Sequence, residues 1–294
     1  MNSIMEKVAP GIFLVPGENR SLFPFCTCLY LKGRNLRVLI DAGMGDARMD
    51  ACLREGIDVL ILTHCHFDHQ STIGRVRGIP VWCHDVEVPY LEDRDVYLRE
   101  TGILRSGIDI DRFFKRHPFP DLRVDRHLTD GERIDLGGLT LQVVHAPGHT
   151  PGHCAFYFPE ANFLFSADVA LNTFGPFYGN DFGSIEDFIA SIRKLKALGA
   201  STVATSHSGP FRNRLAERFS QYENIIYRRD ELILKYLSGN KTLAGFLGKH
   251  VVYKDYPEPR EVTMWMELVQ VEKHLQRLME KGRVRQEGDL YIKT

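Results

Sequence analysis

The stretch Val59-Leu60-Ile61-Leu62-Thr63-His64-Cys65-His66-Phe67-Asp68-His69 places three imidazoles and a carboxylate within six residues, directly behind a four-residue apolar run. The run is too short for a helix core and reads as a buried parallel strand. Neutral imidazole and carboxylate are ligands for zinc-type cations. A loop anchored by a buried strand aims alternate side chains, His64 and His66, into one pocket, while Asp68 and His69 open the next helix and face away from that pair. One strand-to-helix turn can therefore serve two metals a few ångströms apart. Cys65, pointing the opposite way between two ligands, is expected to pack.

Upstream, Gly11–Val15, Cys26–Leu31 and Leu36–Ile40 read as a meander, the last two strands joined by Gly33-Arg34-Asn35. A helix over Ala47–Arg54 then leads into Val59–Leu62, so the His cluster ends a β–α–β unit. Ile79–Cys83 is a further strand running into His84, and Glu87–Arg126 is charged, aromatic and irregular, with Phe113, Phe114, His117-Pro118 and Phe119-Pro120. It is expected to be an inserted cap over a site.

Downstream, strands are expected at Leu139–Val144, Cys154–Phe158, Phe163–Ser166 and Thr202–Thr205, with a helix over Ile185–Leu198 capped by Ser184. Three more ligand types end such segments. His149 sits in the rigid turn Ala146-Pro-Gly-His-Thr-Pro-Gly-His153, and Asp168 and His207 each follow an apolar strand. His145 and His153 beside that turn read as hydrogen-bonded supports. Asp41, ending its own strand, is either a partner for a ligand imidazole or a turn residue. His84 and Tyr178 are pocket candidates, and Phe174 and Phe177 share the Gly/Pro-rich loop of Tyr178.

Beyond Phe211 the pattern becomes helical: Leu215–Leu237, Leu243–His250 and Val262–Lys281, then a hairpin turning at Glu287-Gly288-Asp289. Helix, helix, helix, hairpin is the order of a winged helix. The chain is therefore divided into residues 1–212, carrying the 87–126 insertion, and residues 213–294.

With 294 residues, 44% apolar and 26% charged, the chain is globular rather than disordered or rod-like. Lys plus Arg (37) balance Asp plus Glu (38), so the overall basic excess of a dedicated nucleic-acid binder is missing. No signal peptide or membrane-length apolar run is legible, and the six cysteines are scattered. A soluble, unexported protein with reduced thiols in the cytoplasm is the expectation.

The filled pattern His64, His66, Asp68, His69, His149, Asp168, His207 resembles the metallo-β-lactamase superfamily, in the right order over roughly residues 8–212. The resemblance implies an α/β fold, an αβ/βα sandwich of two mixed sheets flanked by helices. It further implies that His64, His66 and His149 hold one metal, that Asp68, His69 and His207 hold the other, and that Asp168 bridges them. The expected ions are two divalent cations, zinc first, with iron or manganese as alternatives. Their shared hydroxide would be the nucleophile, with Asp68 as the catalytic residue that holds it and shuttles its proton. The runs Tyr227-Arg-Arg-Asp-Glu-Leu-Ile-Leu, Val271-Glu-Lys-His-Leu-Gln-Arg-Leu and Lys281-Gly-Arg-Val are similar to the C-terminal winged-helix-like α+β domain of the β-lactamase-like-protein-2 group.

Hydrolysis of a small-molecule thioester, lactone or other ester is the reading this supports. A single-strand endoribonuclease and a mononuclear iron persulfide dioxygenase are the alternatives. Nucleic-acid binding by the tail would rest on Lys273, Arg277, Lys281, Arg283 and Arg285. Interleaved Glu272, Glu280, Glu287 and Asp289 speak against it, leaving capping or homodimer formation as the expected role.

Overall fold

The structure is a computed structural model describing residues 4–294 apart from 117, 238 and 240. His117, expected in the insertion, lies outside the described residues. The seven-stranded sheet runs in the order β1 (Glu6–Ala9), β2 (Ile12–Val15), β3 (Cys28–Lys32), β4 (Arg37–Ile40), β5 (Val59–Ile61), β6 (Val81–His84) and β7 (Arg126–Leu128). Its first four strands are antiparallel neighbours; from β4 onward the pairing is parallel. The five-stranded sheet has the order β12 (Thr202–Ala204), β11 (Phe163–Phe165), β10 (Cys154–Phe158), β9 (Thr140–His145) and β8 (Arg133–Asp135).

Strand alternation builds the layers. Leu29 and Leu31 of β3 face inward with Val38 and Ile40 of β4, meeting Val143, Phe156, Phe158 and Phe165 of the other sheet in the central core. Tyr30 and Leu39, one residue out of phase, face α1 (Asp46–Glu55), where Met49 and Cys52 cover them. Ala155 and Leu164 likewise face outward, under Phe188 and Ile192 of α5 (Ile185–Ala197) and under Phe219, Tyr222 and Ile226 of α6 (Leu215–Tyr236). The result is helix, sheet, sheet, helix. Packing is continuous across residue 212, because the first half of α6 belongs to the outer layer of the second sheet.

The insertion connects parallel β6 to β7 and carries α2 (Val88–Glu92), α3 (Arg94–Thr101) and α4 (Ile110–Arg116). It lies against α7 (Arg260–Glu280): Leu98 and Ile103 share a cluster with Val262, Trp265 and Val269. After α6 the expected middle helix over Leu243–His250 is corrected to a single 3-10 turn, Leu243–Phe246, since Gly245 and Gly248 interrupt the segment. α7 and the hairpin β13 (Val284–Glu287) and β14 (Leu290–Lys293) complete the chain. Among the described residues no helix is long and apolar enough to cross a membrane, and all six cysteines are free and buried.

Candidate metal centre

Four strand ends deliver the expected ligands to one place. His64, His66, Asp68 and His69 follow β5, with Phe67–His69 forming a 3-10 turn; His149 follows β9, Asp168 follows β11 and His207 follows β12. Ala167 adopts a left-handed φ of 44°, a strained conformation for a non-glycine residue, at the turn that places Asp168 in the cluster. The His149 turn is pressed against the start of α5, where Ser184 Oγ accepts from the Asp187 N–H and so caps the helix. Gly148, at φ 120°, lies so close that a Cβ there would meet the Phe188 backbone nitrogen at 2.3 Å.

Two donor groups result. His64 Nε2, His66 Nδ1 and His149 Nε2 stand 3.1, 2.8 and 3.1 Å apart. A tetrahedral zinc–imidazole site would separate them by about 3.3 Å. Asp68 Oδ2 and His69 Nε2 lie 3.8 Å apart, with His207 Nε2 at 3.2 Å from Asp68 Oδ2. Asp168 stands between the groups, with Oδ2 at 3.2 Å from His149 Nε2 and Oδ1 at 3.1 Å from His69 Nε2.

The outer nitrogens settle which inner ones hold lone pairs. His149 Nδ1 donates to the Phe177 carbonyl (2.9 Å), His207 Nδ1 to the Ser21 carbonyl (2.7 Å) and His69 Nδ1 to Asp41 Oδ2 (2.8 Å). His66 Nε2 donates to Asn180 Oδ1 (2.8 Å), and His64 Nδ1 to Thr63 Oγ1 (2.9 Å), whose own hydroxyl proton goes to Asp41 Oδ2. Each ring has one N–H committed outward, so five lone pairs and two carboxylates converge. His69 Nε2 and Asp168 Oδ1 are buried and make no hydrogen bond. Buried polar atoms in such a state call for a partner, and a divalent cation satisfies this donor set.

The electrostatics of the two donor groups differ. Burial, reinforced by His69, His149 and His66, pushes the His64 pKa well below the ordinary imidazole value. Burial does the same to His149 and, less strongly, to His66, keeping all three neutral. For His69 burial acts in the same sense but is overcome by Asp168, Asp41 and Asp68, which hold the pKa well above ordinary; Asp168 and Asp68 do so for His207. Against the cost of burial, His207, His69 and His149 keep Asp168 well below the usual carboxylate range, and His69 and His207 lower Asp68.

Asp41 is thus in place as the partner of His69, at a φ of 63° that turns the chain out of β4. The two pocket candidates lie elsewhere. His84 stacks on His145 (4.1 Å between centroids) and accepts from the Val86 N–H. Tyr178 is fully buried and points toward the C-terminal helices, its hydroxyl bonding His274 and Arg229. A Gly/Pro-rich loop suggests an exposed aromatic, but the partners of Tyr178 come from α6 and α7, more than 50 residues away in sequence. His145 Nε2 bonds the Pro151 carbonyl, and His153 donates from Nδ1 to the Ala146 carbonyl while accepting the Asp168 N–H at Nε2.

Two contributors escaped the sequence reading. Glu87, fully buried, accepts from the Cys65 N–H and the Gly152 N–H (2.8 Å each) and from the Thr150 hydroxyl. One carboxylate therefore ties the His64–His66 loop to the His149 turn, and burial raises its pKa although those bonds oppose the shift. The only signal was its apolar flanks, Val86 and Val88, within a charged stretch. Asn180 had no signal at all.

The metallo-β-lactamase superfamily model matches residues 23–207. The chain belongs to the metallo-β-lactamase superfamily. A beta-lactamase-like protein 2 homolog from Caenorhabditis elegans is 24% identical over 264 residues, covering 86% of this chain and 80% of that protein. An atrochrysone carboxyl ACP thioesterase from Aspergillus fumigatus is 25% identical over 240 residues, 78% of this chain and 66% of that one. A solved metallo-β-lactamase family protein from Thermus thermophilus superposes with a TM-score of 0.78 at 24% identity, covering 98% of this chain and all of that one. The metallo-β-lactamase fold of this superfamily chain is therefore shared beyond the matched segment, and its members are generally hydrolases.

Proposed function

We propose that this superfamily member is a dinuclear, zinc-type hydrolase of thioesters, lactones or related acyl bonds. The observation that carries the reading is Asp168, whose two oxygens face the two donor groups separately. His64, His66 and His149 would hold one ion, and Asp68, His69 and His207 the other, with Asp168 shared. When bound, such ions supply water activation near neutral pH and charge stabilisation at the substrate oxygen. The chain's part is to hold five imidazoles with their lone pairs inward, and to leave Asp68 ionised beside the reacting position, where it can hold and pass on a proton.

The surroundings favour an acyl substrate. Phe67, between two ligand residues, lies 6.4 Å from Phe23 and 6.4 Å from Phe113 of the insertion, and Leu22 and Phe23 are more than half exposed. That apolar lip suits the carbon skeleton of an acyl group. The relative named as a thioesterase points the same way. Of the five basic residues on which nucleic-acid binding by the tail would rest, four, all except Lys281, are engaged within the chain. Lys273 is spent on the carbonyls of Asp181 and Gly183, Arg277 on Asp230 and Glu186, Arg283 on Glu231 and Arg285 on Glu287.

The test is a panel of acyl thioesters, lactones and single-stranded RNA, assayed before and after chelation and again after zinc is restored. Turnover of a thioester or lactone that disappears on chelation and returns with zinc is expected. Turnover of RNA alone, or acyl turnover indifferent to chelation, would overturn the proposal.

A further inference from the structure

The loop between Asp168 and α5 carries two of the contacts that orient the first imidazole group. Its Phe177 carbonyl receives His149 Nδ1–H, and its Asn180 side chain receives His66 Nε2–H. The segment 171–183 contains neither helix nor strand, so its position must come from what it rests on.

It rests on the C-terminal helices. Arg229 of α6, buried, donates to the carbonyls of Pro176 (2.6 Å) and Phe174 (2.8 Å) and to the Tyr178 hydroxyl (3.0 Å). That hydroxyl donates in turn to His274 Nε2 of α7 (2.7 Å). Lys273 Nζ donates to the carbonyls of Asp181 (2.8 Å) and Gly183 (2.7 Å), immediately after Asn180. Tyr222 of α6 accepts the Ala170 N–H and reaches the Asp168 carbonyl. At Gly175 the loop lies so close to α6 that a Cβ would fall 2.5 Å from Ile225 Cγ2.

The network is costly to bury. Arg229, Asp230, His274 and Arg277 are all less than a tenth exposed, and Asp230 is needed to accept from both His274 Nδ1 and Arg277 Nε. Apolar packing of the same volume would hold two helices together at least as well, so buried polar groups here are better explained by the position they specify than by stability. We infer that the C-terminal helices serve as a brace that aims His66 and His149 through the 171–183 loop, with Lys273 and Arg229 as positioning residues. This rests on the metal-centre reading above, and it gives the region after residue 212 a role that needs no nucleic acid.

The test uses the full chain in three variants. Lys273→Met keeps the stem and removes the donor, Lys273→Arg restores donors, and Tyr178→Phe removes one buried hydroxyl without changing shape. Metal affinities are read by competition with a chromogenic chelator, and ligand geometry by the visible absorption of the cobalt(II)-substituted protein. The apo-protein's melting temperature serves as the folding control. Lys273→Met is expected to weaken one of two metals by about 10–100-fold and to alter that ion's cobalt bands, leaving the other site within about threefold. Lys273→Arg should return both readouts to near wild type, and Tyr178→Phe should shift them in the same sense as Lys273→Met, by less. Wild-type affinities and cobalt bands in folded Lys273→Met and Tyr178→Phe proteins would overturn the brace. So would equal weakening of both metals that tracks a lower melting temperature. Wild-type protein that binds no metal would defeat the metal-centre reading itself, a different result from either.

Discussion

Asp168 is the side chain on which both donor groups depend, since its Oδ2 faces His149 and its Oδ1 faces His69. Asp168→Ala should lower the metal content from about two ions to less than one per chain, measured on protein dialysed against trace chelator, because each site loses a ligand. Metal content unchanged by that substitution would refute the shared role. Asp41 works one bond further out. It holds the Nδ1–H of His69, and Asp41→Ala should weaken the ion on the Asp68, His69 and His207 side by about 10–100-fold in chelator competition, with little change on the other side. Glu87 touches no donor atom but accepts three hydrogen bonds from the two ligand loops. In Glu87→Gln an amide NH2 must face one of those donors, which should cost about 1–3 kcal/mol in urea unfolding. A midpoint within error of wild type would remove Glu87 from the scaffold of the site.

At the scale of elements, the strands that end at ligands were legible because each alternates between two cores. Leu29, Tyr30 and Leu31 divide between the central cluster and the α1 side, as period two requires. The strands the sequence did not show are those with too little apolar content to alternate: β1 (Glu6–Ala9) buries no residue fully, β7 (Arg126–Leu128) only Leu128, and β8 (Arg133–Asp135) only Ile134. The seven expected ligand residues stood out because their types are rare in such density, whereas Asn180 and Glu87 look in sequence like any loop polar residue. Tyr178 was misplaced for a related reason: its buried partners come from α6 and α7. Among helices, α5 is the one whose start bears on the site, through its contact with the His149 turn. Ser184→Ala should cost about 1 kcal/mol by loss of the cap, visible as a drop in melting temperature of about 2 °C.

For the whole molecule, the joint between the second sheet and the C-terminal helices carries its own pH dependence. His274 is buried between Tyr178 and Asp230, with Arg229, Arg277 and Lys281 nearby. Burial lowers its pKa, and although Asp230 opposes this, the net direction is down. A histidine whose folded pKa lies below its unfolded value takes up protons on unfolding. Its contribution is therefore complete above about pH 6.5 and is lost as pH falls below that value, by up to about 1.4 kcal/mol per pH unit. Wild type should accordingly lose more stability between pH 7 and pH 5.5 than His274→Gln does, compared by urea midpoints at the two pH values. Equal losses would mean that His274 is protonated in the folded state. The central claim, two cations held by seven side chains from four strand ends, is tested most directly by elemental analysis of protein purified without added metal, at known protein concentration. About two divalent ions per chain, zinc foremost, is the predicted result; a single iron per chain, or no metal after careful handling, would contradict it.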